Sequence, residues 1–145
     1  MAIDVTATVT INRPVDEVRE YLVDPAHDLA WIRALTSSDL LTGYPIGEGT
    51  RVRRVAKMMG RSMTYTTEVV AASADEFTMR TIEGPFPMVV TYRFEEAGTG
   101  TRVSVRNQGG EGVMFRLFGW LIGRMVNSRV QGDLEQLKRV MEGGS

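Results

Sequence analysis

The sequence predicts one α+β domain. A strand is followed by two short helices, six more strands in an antiparallel meander, and a long C-terminal helix. Three observations carry this reading. The first eleven residues alternate apolar and polar, residues 50–108 hold alternating runs separated by short glycine-containing turns, and residues 113–141 carry apolar side chains at helical spacing. A chain of 145 residues has the length of a single domain.

Each element has its own signal. Ile3, Val5, Ala7, Val9 and Ile11 alternate with mostly polar neighbours, the mark of a half-buried strand. Arg13-Pro14 ends it, and Pro14 suits the first turn of a helix over 14–23 with Val15, Val18, Tyr21 and Leu22 on one face. Asp24-Pro25 breaks that helix, and a second short one carries Leu29, Trp31 and Ile32. Residues 37–42 read as a weak strand and 43–49 as a loop. Strands over 50–58 and 61–71 meet at Met59-Gly60, those over 75–82 and 87–96 meet at Gly84-Pro85, and a strand over 101–108 follows the turn at Gly98-Thr99.

Short turns fix register. Met58 should face Arg61, Val52 face Thr67, and Arg54 face Tyr65. Thr67 should face Met79 if the next loop has three residues, Met79 face Val90, and Val90 face Asn107. One sheet face then collects Val52, Ala56, Met63, Val69, Phe77, Phe94, Val103, Val105 and their neighbours. The other collects Arg51, Arg53, Lys57, Glu68, Arg80, Arg93, Glu95, Arg102 and Arg106. A one-residue slip would mix the two sets. The terminal helix, at ~1.5 Å per residue, is about 40 Å long, enough to cross the sheet. Gly119, Gly123 and Gly132 lie inside it, each costing ~1 kcal/mol against alanine, and they point to close approach, a bend, or room for something else.

Composition narrows the function. With 17 basic and 18 acidic residues the net charge is −1, which argues against nucleic acid as a partner. No cysteine is present, so disulfides, iron–sulfur ligation and thiol catalysis are excluded, and one histidine rules out a His-rich metal site. No cofactor and no metal is expected. Val113 to Val126 is apolar for 14 residues but contains Arg116 and Arg124, too short and too charged for a span of ~20 residues. Stable membrane insertion is therefore not expected. The alternating N-terminus does not read as a secretory signal, and a cytoplasmic location is expected.

The order of elements, together with four stretches, resembles the START-like (SRPBCC) superfamily and, within it, the polyketide cyclase/dehydrase-like branch. These are Ile11-Asn12-Arg13-Pro14-Val15-Asp16-Glu17-Val18 after the first strand, and Asp24-Pro25 followed by Trp31. Next come Gly47-Glu48-Gly49-Thr50 opening a strand, and Gly84-Pro85-Phe86 with Thr101-Arg102-Val103 and Leu134-Glu135-Gln136-Leu137-Lys138. The resemblance covers nearly the whole chain. It implies a helix-grip fold, in which a curved antiparallel seven-stranded sheet wraps a long C-terminal helix around an apolar cavity. It implies no particular reaction, since function belongs to sites rather than folds.

The inward face supplies the candidate site. Within residues 50–107 it holds no Asp or Glu, and its polar groups are Arg54, Tyr65, Thr67, Thr81, Tyr92 and Asn107, an inventory for orienting a ligand more than cleaving one. Arg54 anchors a carboxylate, phenolate or other polar head with Tyr65 and Thr81, or else a bulge or snorkelling turns it away. Met58, Met63, Met79 and Met88 on the sheet, with Met114 and Met125 on the helix, suggest a deformable pocket or ordinary core filling. The ligand-lining set is completed by Trp31, Val90, Phe118, Ile122 and Met125; Trp31 lines the entrance or closes the core. Asn107 binds a ligand atom or satisfies the backbone beside Gly109-Gly110. His27 is a mouth-lining base or a surface histidine. Gly47-Glu48-Gly49-Thr50 lacks the Gly-Lys-Ser/Thr ending of a phosphate loop and reads as a turn. Phe115, Phe118 and Trp120 exceed what one buried stripe needs, which suggests a lid, a dimer contact or a membrane-touching patch.

The expectation is a monomeric or homodimeric binding or carrier protein enclosing one hydrophobic small molecule: lipid-, polyketide- or aromatic-like. The rivals are an aromatic polyketide cyclase or dehydratase, in which Tyr65, Tyr92 or Arg54 polarises a carbonyl, and a protein-interaction module using the basic sheet face or the Phe115–Trp120 patch.

Overall fold

A computed structural model describes residues 3–58, 60–110 and 113–143, with only the backbone for 113–115. The expected position of Met59 in a turn, and of the Met114 and Phe115 side chains, lies outside the described residues. The elements run β1 (Ile3–Ile11), α1 (Val15–Val23), a 3-10 turn (Pro25–His27), α2 (Asp28–Trp31), β2 (Leu35–Leu40), β3 (Arg51–Met58), β4 (Arg61–Ala72), β5 (Glu76–Glu83), β6 (Met88–Ala97), β7 (Gly100–Gly109) and α3 (Val113–Met141). The strands form one curled antiparallel sheet in the order β1-β7-β6-β5-β4-β3-β2. This is the helix-grip arrangement.

The register follows the alternation. Val52 pairs with Thr67, Arg54 with Tyr65 and Met58 with Arg61. Met79 pairs with Val90, and Val90 with Asn107. One expected pair is wrong. Thr67 faces Thr81, and Met79 faces Val69, because the β4–β5 ladder shifts register between Thr66 and Thr67 and again between Val69 and Ala71. Each shift inserts a residue that alternation alone cannot place. The second strand also starts earlier than expected, at Leu35 rather than 37, with a shift of its own between Leu35 and Ser37.

On the outer face the charges cancel locally. Glu68 accepts from Arg51 at 3.1 Å and Arg80 at 3.5 Å, and Arg93–Glu76, Arg102–Glu95 and Arg106–Asp4 are further cross-strand pairs. The inner face packs on α1 and α3. Val9, Ile11, Val18, Leu22, Phe77, Phe94, Val103, Leu134, Leu137 and Met141 form one buried cluster. Burying a leucine such as Leu137 contributes about 1.5–3 kcal/mol. The backbone of α3 runs nearest to β1. An added Cβ on Gly123 would meet Val5 Cγ1 at 3.5 Å, an ordinary contact, so close approach does not require that glycine.

Candidate functional site

The inner face is more deeply buried at one end than at the other. At the end where α1 and the C-terminal half of α3 meet the sheet, Ile11, Val18, Val103, Leu134 and Leu137 are fully buried. Toward the start of α3, Met58, Met63, Tyr65, Thr81, Met88 and Val90 are only half-buried. On α3, Ile122 is half-buried, Phe118 is 48% exposed and Met125 is 47% exposed. Gly123 faces β1 on the same side of the helix as the buried Leu134, Leu137 and Met141, and Phe118, Ile122 and Met125 lie about 100–160° round the helix from it.

The floor between the two ends is polar, and Arg54 is at its centre. Arg54 is 6% exposed. A buried guanidinium needs partners, and the structure supplies them. Its Nε donates to Asp28 Oδ2 at 2.8 Å and its Nη1 to Thr67 Oγ1 at 2.8 Å, with Met79 Sδ at 3.9 Å. Ser38 Oγ donates to the same Asp28 oxygen at 2.7 Å. The local sequence explains the placement. In the single turn of α2, Asp28 and Trp31 are three residues apart and share the buried face, while Leu29 turns outward. Ser38, Arg54 and Tyr65 stand in one row across β2, β3 and β4.

Arg54 therefore points inward and is already neutralised. Burial works against its charge, but the Asp28 carboxylate, together with the Tyr65 and Tyr92 phenols, outweighs it, and its pKa is raised. Burial also pushes up the phenols of Tyr65 and Tyr92, against the opposing pull of Arg54, so both stay protonated at neutral pH. Neither hydroxyl, nor Arg54 Nη2, has a hydrogen-bond partner among the described residues. Trp31 is 3% exposed and closes the core from α2, and its Nε1 is buried without a partner among the described residues. Asp133 on α3 accepts from the Arg33 backbone N–H at 3.3 Å. Burial raises its pKa, and its charge reaches both phenols. Gly84 backs Tyr65: a Cβ there would come within 2.8 Å of Tyr65 Cβ, and its φ is +145°.

Asp28 is the residue that the sequence reading missed. It lies outside residues 50–107, whose inward face holds no acid, in a four-residue helix earlier in the chain. The usable signal was the buried arginine itself, which demands an acid from somewhere. Asn107 is buried beside Val5 and Val90. His27 does not join the site. Its ring stacks on Tyr21 at 4.0 Å, its Nδ1 lies 3.1 Å from the Tyr21 carbonyl, and it lines an outer concavity with Glu17, Glu20, Asp24 and Met141. That concavity, of about 500 Å³, and another of about 560 Å³ along Arg33, Arg124, Asn127 and Gln131 are surface grooves that include none of the inner sheet residues. Gly47 to Thr50 is a turn, closed by Thr50 N–H to Gly47 O at 3.1 Å. Leu117 and Trp120 on α3 are 64% and 67% exposed. Among the described residues no group of three or more His, Cys, Asp or Glu is placed to hold a metal, and no helix is long and apolar enough to cross a membrane.

A family model described as polyketide cyclase / dehydrase and lipid transport matches residues 2–142. No curated protein matches the chain. Among solved structures, TTHA0849 from Thermus thermophilus is 23% identical over 98% of this chain and 99% of its own, with a TM-score of 0.81. Ms6760 from Mycobacterium smegmatis is 14% identical over 99% and 94%, with a TM-score of 0.74. The di-domain ARO/CYC StfQ from the steffimycin biosynthetic pathway is 15% identical over 99% of this chain and 52% of its own, with a TM-score of 0.79. These identities speak for the fold alone.

Proposed function

Because the chain belongs to the polyketide cyclase / dehydrase and lipid transport family, we propose that it is a binding or carrier protein for one hydrophobic small molecule, held between the sheet and the first half of α3. One observation carries this reading. Methionine and aromatic side chains of the inner face remain water-accessible at that end, around a buried polar floor, while the other end is closed. Apolar surface left open in this way favours a guest by ~25 cal/mol per Å² buried, before the costs of association. Met63, Met88 and Met125 supply a deformable wall, and Arg54, Tyr65 and Tyr92 orient the guest. Native mass spectrometry of the purified protein tests this. A 1:1 complex with a co-purified or added apolar compound is the expected result, and no adduct with any of a panel of lipids and polycyclic aromatics contradicts it.

A second reading, a cyclase or dehydratase, is favoured by one specific feature. Tyr65, whose hydroxyl has no hydrogen-bond partner among the described residues, pairs with Arg54 in the adjacent strand, where the two would polarise a carbonyl. The family description and the ARO/CYC relative support the same chemistry. Turnover of a polyketide-like substrate that Tyr65→Phe abolishes would favour this reading over the carrier. For the interaction reading, cross-strand ion pairs neutralise much of the basic sheet face, while Leu117, Phe118 and Trp120 of the Phe115–Trp120 patch are exposed.

A further inference from the structure

We propose that the guest is uncharged where it meets the floor of the site, that it is recognised there through a hydrogen-bond acceptor such as a ketone oxygen, and that Asp28 sets this preference. The inference rests on the binding reading above and adds the chemistry of the guest's polar end.

The floor offers donors. Arg54 Nη2 and the hydroxyls of Tyr65 and Tyr92 have no partner among the described residues. Among the acceptors beside them, Asp28 Oδ2 already receives Arg54 Nε and Ser38 Oγ, and Thr67 Oγ1 receives Arg54 Nη1. An oxygen with lone pairs can take all three free donors.

The charge balance decides between a neutral and an anionic oxygen. Arg54 and Asp28 cancel at 2.8 Å. The two phenols are neutral, and the remaining charge in reach is the half-buried Asp133, held 3.7 Å from Arg33. A carboxylate entering here would give up its hydration without gaining an unpaired cation, and it would lie near two carboxylates. A ketone takes the same donors without that cost. In sequence, Arg54 alone suggested an anchor for an acid; the carboxylate brought by α2 reverses the sign of that preference.

A matched pair of probes tests the inference. 2-Acetylnaphthalene and 2-naphthoate share one ring system and differ in their polar end. By calorimetric titration at pH 8, the wild-type protein should bind the ketone at least about tenfold more tightly, since like-charge juxtaposition costs more than the ~1.4 kcal/mol that a factor of ten represents. Asp28→Asn leaves Arg54 without its counter-charge and should move the affinity ratio toward the acid by about tenfold. Because the readout is a ratio, a general loosening of the site does not imitate it. Equal wild-type affinity for the two probes overturns the inference, as does an unchanged ratio in folded Asp28→Asn. The wild-type ratio decides alone if that variant does not fold. If neither probe binds the wild-type protein, while other apolar compounds give a 1:1 adduct, the inference fails and the binding reading stands; if nothing binds, both fail.

Discussion

The Arg54–Asp28 pair gives the sharpest energetic prediction. Both side chains are nearly inaccessible, at 7% and 3% exposure, and their charged atoms meet at 2.8 Å. Two unit charges ~4 Å apart attract by about 4 kcal/mol at an effective dielectric constant of ~20. Removing two ions from water costs several kcal/mol each, so the intact pair nets close to nothing against a well-packed apolar pair. Removing one partner is different, because it leaves a buried charge alone, at about 3–5 kcal/mol. Asp28→Leu and Arg54→Met should each cost about that much, out of a total stability of ~5–15 kcal/mol. The double variant Asp28→Leu/Arg54→Met should lose less than either single one. Urea unfolding followed by circular dichroism measures all three, with the double-mutant cycle isolating the coupling. Single variants costing less than about 1 kcal/mol, or costs that simply add in the double, would refute the buried, mutually dependent pair. A double variant that folds well but no longer binds a guest would mark the pair as retained for recognition.

Two further outcomes follow from the surface and the helix. Gly123→Ala should stabilise the protein by about 0.5–1 kcal/mol, since the helix gains propensity and the new Cβ meets Val5 Cγ1 at ordinary contact distance; a loss on thermal or urea unfolding would show that the helix needs the glycine. The Glu68 carboxyl is held below its usual 4.5 by hydrogen bonds from Arg51 and Arg80. A depressed folded pKa means that its stabilisation is present above 4.5 and is lost as pH falls through the lower folded value. Glu68→Gln should therefore unfold with a shallower acid-side slope than the wild type at low salt, and identical slopes would contradict the pairing.

Most of the fold was legible because its signals are local. Nine residues of strict alternation gave β1 with its bounds, and the apolar spacing over 113–141 gave α3. Turn positions gave the β3–β4 and β6–β7 registers. The β4–β5 ladder escaped because its two shifts leave no compositional mark. Inward Arg54 was legible from register, and Asp28 was not: the pairing links residues 26 apart through a helix of one turn, a tertiary coincidence without a period. The exposure of Phe118 and Met125 was equally hidden, since a spacing pattern tells which way a side chain points but not whether another element arrives to cover it.

The proposed binding requires an accessible hollow between the sheet and the first half of α3, and methionine methyl groups test for it. With ¹³C-methyl methionine, titration of 2-acetylnaphthalene should shift the Met63, Met88 and Met125 methyl resonances and leave that of Met141, in the closed end of the core, in place. Shifts confined to Met141, or no methyl shift at saturating probe, would contradict it.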